Sequence, residues 1–184
     1  MRKNRNSVRE MTLAAMLAAV YAVLTMVLPI PQYAGIQIRF AEALTVLPFL
    51  FPAATPGLFV GCLIANLLSP YGLLDVLAGS AATLLACLWT RRLKTRWLAP
   101  MPAVACNAAI IGAVIAFSQT GMGPAFWPAY ALNAVTVGAG ELIAGYLLGM
   151  PLLRVLTEIP FFREMIPEER LSLMRGRGKQ LQTE

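Results

Sequence analysis

Long apolar runs along the chain alternate with short polar or proline-rich breaks. Residues 11–28 form an apolar run of 18 residues, about 27 Å as an α-helix. That nearly spans a hydrocarbon core of about 30 Å. The run is longer than the roughly 7–15-residue core of a secretory signal. It also ends in Leu28-Pro29-Ile30-Pro31 rather than in small residues, so it reads as a retained helix. The stretch 40–68 carries Pro48, Pro52 and Pro56 and, at 29 residues, is too long for one span. It is split at 52–56 into two short helices. Further runs follow at 73–90, 98–117 and 126–153. Pro100 and Pro102 are tolerated in a first turn, and Gly121, Gly123 and Pro124 make a turn. The pattern predicts six helices.

Composition assigns these helices to a bilayer. Hydrophobic residues make up 58% of the 184 and charged residues 13%. A soluble domain this small cannot hide so much apolar surface. Residues 1–10 hold five charges and residues 158–184 hold ten, leaving nine for the 147 residues between. Four of those nine are Arg91, Arg92, Lys94 and Arg96 in one loop. With the N-terminus inside, six passes put that loop and the C-terminus inside, so that 14 of the 15 Lys+Arg are cytoplasmic. Merging the two short helices would put the basic loop outside. The expectation is therefore an all-α membrane protein of the cell membrane, with six transmembrane helices in a compact bundle and both termini cytoplasmic. Residues 1–10 form a cytoplasmic segment, 11–157 the membrane domain, and 158–184 a cytoplasmic or interfacial tail. Trp89, Trp97 and Trp127 fall near span ends, as interfacial aromatics do. The tail mixes Ile159, Phe161, Phe162 and Ile166 with charges and reads as an interfacial amphipathic helix.

The same inventory excludes much chemistry. Without a single histidine there is no Ser-His-Asp or Cys-His triad and no His-based zinc or haem site. Cys62, Cys87 and Cys106 lie in apolar runs without metal or redox spacing. There is no phosphate-binding GxxxxGK[ST] loop. The basic residues flank apolar runs rather than line one face, which argues against nucleic acid. No enzymatic activity, cofactor or metal is expected.

Four charges sit within or beside the outer and membrane parts: Arg39, Glu42, Asp75 and Glu141. A charge at the centre of a span costs roughly 2.5–3.5 kcal/mol, so such residues pair or line polar cavities. Arg39 and Glu42, three apart, can pair with each other. Asp75 can serve as an N-cap. Glu141 has no basic residue within a helical turn, which favours a site role. Asn66, Asn107 and Asn133 add amide donors and acceptors, Asn133 lying about 80° around the helix from Glu141. Tyr71, Trp127 and Tyr130 offer stacking faces near the mouth. Ala14, Ala18 and Ala22 recur every four residues, giving the first helix a smooth face for another helix, either inside the bundle or on a partner. For Gly57-x-x-x-Gly61 and Gly145-x-x-x-Gly149 internal packing is the favoured reading.

Residues 38–49 (IRFAEALTVLPF), 56–66 (PGLFVGCLIAN), 72–76 (GLLDV) and 132–141 (LNAVTVGAGE) together resemble the QueT family of queuosine-precursor transporters, over roughly residues 8–155. The resemblance implies a substrate-binding S-component of an energy-coupling-factor importer, a six-helix fold with both ends cytoplasmic, and capture of queuine or a related 7-deazaguanine from outside. It also implies docking on a membrane coupling subunit that works with two cytoplasmic ATPases. Ala14, Ala18 and Ala22 are the positions it suggests for that contact. Arg39, Glu42, Asn66, Asp75, Asn107, Asn133 and Glu141 are the substrate-binding candidates. The alternatives are an S-component for another vitamin or nucleobase and a membrane-embedded enzyme acting on lipid.

Overall fold

The computed structural model describes residues 2–27, 39–67 and 72–175. Every regular element among them is helical: α1 (Arg2–Val27), a 3-10 helix (Phe40–Phe49), α2 (Ala54–Asn66), α3 (Leu73–Thr90), α4 (Met101–Thr120), α5 (Phe126–Leu142), α6 (Met150–Glu158), α7 (Pro160–Arg163) and α8 (Glu168–Arg175). A turn of 3-10 helix, Arg96–Leu98, leads into α4, and a π-helical stretch, Ile143–Gly149, joins α5 to α6 without interruption. Four stretches are long and apolar enough to cross a membrane: Val8–Val27, Leu73–Thr90, Arg96–Thr120 and Phe126–Glu158. The 3-10 helix and α2 are apolar but shorter.

The break expected around Pro52–Pro56 lies between Phe49 and Ala54. What precedes it is wound more tightly than an α-helix. A 3-10 helix climbs about 2.0 Å per residue against 1.5 Å, so these ten residues reach about 20 Å rather than 15 Å. Residues 41–49 are all buried, and the segment lies against α1, α3 and the π stretch. It is the central post of the bundle. Pro48 has no N–H to give the helix, and the winding ends one turn later, where Leu47 O accepts from both Leu50 and Phe51 N–H. Around the post, α1 packs on α2, α2 on α3, α3 on α4 and α4 on α5.

The α1–α2 seam is a backbone contact. A Cβ on Gly57 would collide with the Ala14 carbonyl oxygen, and one on Gly61 would stand 2.7 Å from that of Ala18. The other glycine pair also serves internal packing: a Cβ on Gly145 would meet Pro100 Cβ at 2.6 Å, and one on Gly149 would meet Val46 Cγ1 at 3.0 Å. Outside, α1 exposes Met16, Val20 and Val23, α3 exposes Leu77 and Leu85, and α5 exposes Leu132 and Val135. An apolar exterior carried on long apolar helices is what a bilayer covers, and the chain is a membrane protein.

The segment after α6 folds back on one end of the bundle. Ile166 is buried, and the Phe162 ring sits edge-on to Phe51 at 6.4 Å. Arg170 donates to the carbonyl oxygens of Leu93 (3.1 Å) and Arg91, just past the end of α3, and lies over the Phe49 ring. A cation there meets the negative end of the α3 dipole.

Candidate functional site

The 3-10 helix begins at the end of the bundle where α2 stops and α3 starts. Arg39 precedes its first turn and directs Nη2 to Asn66 Oδ1 at 3.2 Å. Asn66, the last residue of α2, is buried and donates through Nδ2 to Asp75 O (3.2 Å) and Cys62 Sγ (3.3 Å). Gly79 makes room for this amide, since a Cβ there would lie 2.5 Å from Asn66 Nδ2. Asp75 is buried in the first turn of α3, a favourable place for a carboxylate. It does not occupy the cap position. Gly72 does, at φ 66°, a conformation that suits glycine.

Glu42 is 2% exposed, two residues into the 3-10 helix. The Tyr21 hydroxyl on α1 donates to its Oε1 at 2.5 Å. Its other oxygen, Oε2, is buried with no hydrogen-bond partner among the described residues. Arg39 and Glu42 do not form the ion pair their spacing allows; Arg39 turns to Asn66 and Glu42 to Tyr21. A buried carboxylate oxygen left without a donor is costly, at about 1–3 kcal/mol or more, and calls for one.

Deeper in the bundle, Asn107 on α4 donates to Glu141 Oε1 on α5 at 2.7 Å, with both residues buried. This is the partner that Glu141 lacks on its own helix. Glu42 and Glu141 are thus two buried carboxylates within the same bundle. The π-helical stretch starts two residues after Glu141. Asn133 stands apart from that bond: half-buried, it donates to Gln119 Oε1 at 2.9 Å and to Ala129 O at 2.8 Å. Trp127 and Tyr130 cluster with Phe126, whose ring is stacked on Tyr130 at 6.1 Å. Tyr71 lies outside the described residues.

Two polar partners escape a reading of single helices. Tyr21 sits in a run dominated by alanine and aliphatic residues, and its signal is that a buried tyrosine hydroxyl almost always needs an acceptor. Gln119 is near the end of α4, and no spacing rule ties it to Asn133. Thr83 also donates to Cys62 Sγ at 3.2 Å, which makes that thiol part of a small hydrogen-bonded group rather than an inert filler.

The small-residue face of α1 is turned differently from the docking expectation. Ala18 and Ala22 are buried, and Ala14 and Ala18 form the seam against Gly57 and Gly61. The stripe 14, 18, 22 packs inward because only glycine opposite it lets the backbones touch. Ala15 and Ala19, also four apart, are the exposed alanines of that helix.

The assembled groups offer a carboxylate acceptor, a guanidinium and two buried amides in an apolar shell, an arrangement that grips a polar ring by its edge. Among the described residues no group of three or more His, Cys, Asp or Glu is placed to hold a metal ion. No curated protein sequence and no solved structure matches the chain. The family model described as QueT transporter matches residues 11–158, which include the 3-10 post, the Arg39–Asn66 contact and the Asn107–Glu141 pair. A buried polar interior within apolar helices and a match over most of its length place the chain in the QueT transporter family, a family of transporters and not of enzymes.

Proposed function

We propose that the chain is the substrate-binding S-component of an energy-coupling-factor importer and captures queuine or a related 7-deazaguanine from outside. The membrane topology in this reading is six passes with both termini cytoplasmic, the 3-10 helix and α2 being the two short passes. The basic loop at 91–96 then lies inside, as the positive-inside rule prefers. In this reading the substrate enters at the end where α2 meets α3 and α4 meets α5.

The observation that carries the binding reading is Glu42 Oε2, a buried acceptor with no partner among the described residues. A 7-deazaguanine presents a ring N–H beside an exocyclic amino group, two donors in line. Glu42 takes one or both. Arg39, Asn66 and Asp75 shape the rim, and Asn107 with Glu141 forms the floor. Exposed Ala15 and Ala19, flanked by Met16, Val20 and Val23, form the face for the membrane coupling subunit, which works with two cytoplasmic ATPases.

The test is thermal unfolding of the full chain in detergent with a panel of ligands: queuine, aminomethyl-deazaguanine, guanine, riboflavin and thiamine. A ligand at about 100 times its Kd adds roughly 2.7 kcal/mol of stability. The expected outcome is stabilisation by the deazaguanines alone. Stabilisation by riboflavin or thiamine and not by deazaguanines would reassign the substrate.

A further inference from the structure

The end of the bundle opposite the polar interior carries a cavity of about 730 Å³ between the turn before α4, the π–α6 stretch and the folded-back tail. Arg96, Arg154 and Arg163 line it, with Glu158 the one carboxylate among the described residues. Its apolar wall is Met150, Leu171 and Met174. The size falls in the range of about 300–1,000 Å³ typical of small-molecule sites.

Two of the arginines are held in ways that leave donors to spare. Arg96 gives Nη1 to Met174 O at 2.8 Å, and its guanidinium lies 5.2 Å from the Trp97 ring centroid. A guanidinium has five N–H donors, so that single bond leaves four. Arg154 bonds Glu158 through Nε at 3.3 Å. Arg163 has no side-chain hydrogen bond among the described residues. Trp97 is anchored by its carbonyl, which accepts from the Tyr146 hydroxyl at 2.7 Å. These groups sit where the surface changes character. Leu147 and Trp97, 68% and 58% exposed, mark an apolar exterior, and about two and three turns beyond Leu147 come Arg154 and Glu158. The cavity thus lies at the level where a bilayer's headgroups would be, with an excess of two positive charges and an apolar flank.

We infer that this cavity is a binding site for an anionic phospholipid. The phosphate is taken by Arg96, Arg154 and Arg163, and the acyl chains run along Leu147 and the exposed face of the π stretch. A free phosphate would satisfy the cations but leave the apolar flank bare, which favours the amphiphile. Basic pockets at the membrane edge of helical proteins suit such headgroups. The inference needs only that the chain is a membrane protein; it does not depend on which end faces the cytoplasm or on the transported substrate.

The test is native mass spectrometry of the full chain in detergent, titrated with phosphatidylglycerol or phosphatidylcholine of the same acyl chains. The expected result is preferential binding of phosphatidylglycerol. Arg154→Gln with Arg163→Gln should weaken it about 30-fold, at roughly fivefold per arginine. Arg91→Gln with Arg92→Gln, outside the cavity lining, should leave it unchanged. Thermal unfolding and gel filtration show that each variant is folded, and the single variants Arg154→Gln and Arg163→Gln replace the double one if it is not. Equal binding of both lipids, or phosphatidylglycerol binding that survives loss of the cavity arginines, would overturn the inference. Displacement of the lipid by millimolar glycerol 1-phosphate would show a site for a soluble anion and overturn it too.

Discussion

Tyr21 on α1 and Glu42 on the 3-10 helix are joined by a hydrogen bond of 2.5 Å that satisfies one carboxylate oxygen and leaves the other buried, with no partner among the described residues. The tyrosine fixes the orientation of the carboxylate, and the ligand would supply the missing donor. Glu42→Gln keeps the shape and removes the charge. The expected loss is that of a charge-assisted hydrogen bond, roughly 1.5–3 kcal/mol, or about 10- to 150-fold in Kd. Tyr21→Phe should lower affinity less and thermal stability more, because it leaves both oxygens without a partner. Calorimetry on monodisperse variants decides. Unchanged affinity in Glu42→Gln would move the binding assignment to Glu141.

Asn107 and Glu141 should behave as one unit. Asn107→Ala removes the donor to Glu141 Oε1 and should cost about 1–3 kcal/mol of stability. Glu141→Gln should cost less, since an amide can rotate to keep the bond. The double variant should fall short of the sum of the singles by roughly 0.5 kcal/mol or more. Strict additivity in a denaturation series would show that the pair does not act across the α4–α5 contact.

Two neighbouring alanines on α1 should give opposite phenotypes. Ala18→Trp forces a large side chain into the seam with Gly61 and should destabilise the isolated subunit, by about 1–3 kcal/mol or more. Ala19→Trp lies on the exposed side and should leave folding and ligand affinity intact. It should abolish co-purification with the coupling subunits and uptake in cells. Normal assembly of Ala19→Trp would place the docking face elsewhere.

The topology predicts a labelling pattern in a background without Cys62, Cys87 and Cys106. A cysteine at residue 94 should be shielded from an impermeant thiol reagent in intact cells and become reactive once the membrane is opened. One at residue 122, in the turn between α4 and α5, should label in intact cells. Labelling at residue 94 from outside would invalidate the six-pass reading.

Helix existence was legible from the apolar runs, because burying backbone in lipid demands helices and the breaks carry proline, glycine or, at 91–96, a run of basic residues. The break after Phe49 followed from Pro52 and Pro56 in the same way. The winding of the segment before it was not legible. Ten apolar residues look alike whether wound at three or at 3.6 per turn, and enclosure by α1, α3 and the π stretch is visible only after folding. The last apolar run was expected to end at Leu153, yet the helix continues to Glu158 and contains a π stretch that leaves no mark in composition. For the site, the isolation of Glu141 on its own helix signalled a need for a partner. Its identity, Asn107, is 34 positions away. The alanine spacing on α1 was informative about close packing but ambiguous about direction, since two stripes of small residues run side by side and only the glycines of α2 choose between them.

The α1–α2 seam has a mechanical consequence. Where backbone rests on backbone there are no rotamers to rearrange, so contact cannot be kept while one helix slides or rolls against the other. The two helices behave as a single stiff plank. Ala19 lies on its outer surface, and Tyr21, two residues on, holds Glu42 on its inner one. A displacement at the outer face would therefore be passed to the carboxylate along a path about one helix diameter long.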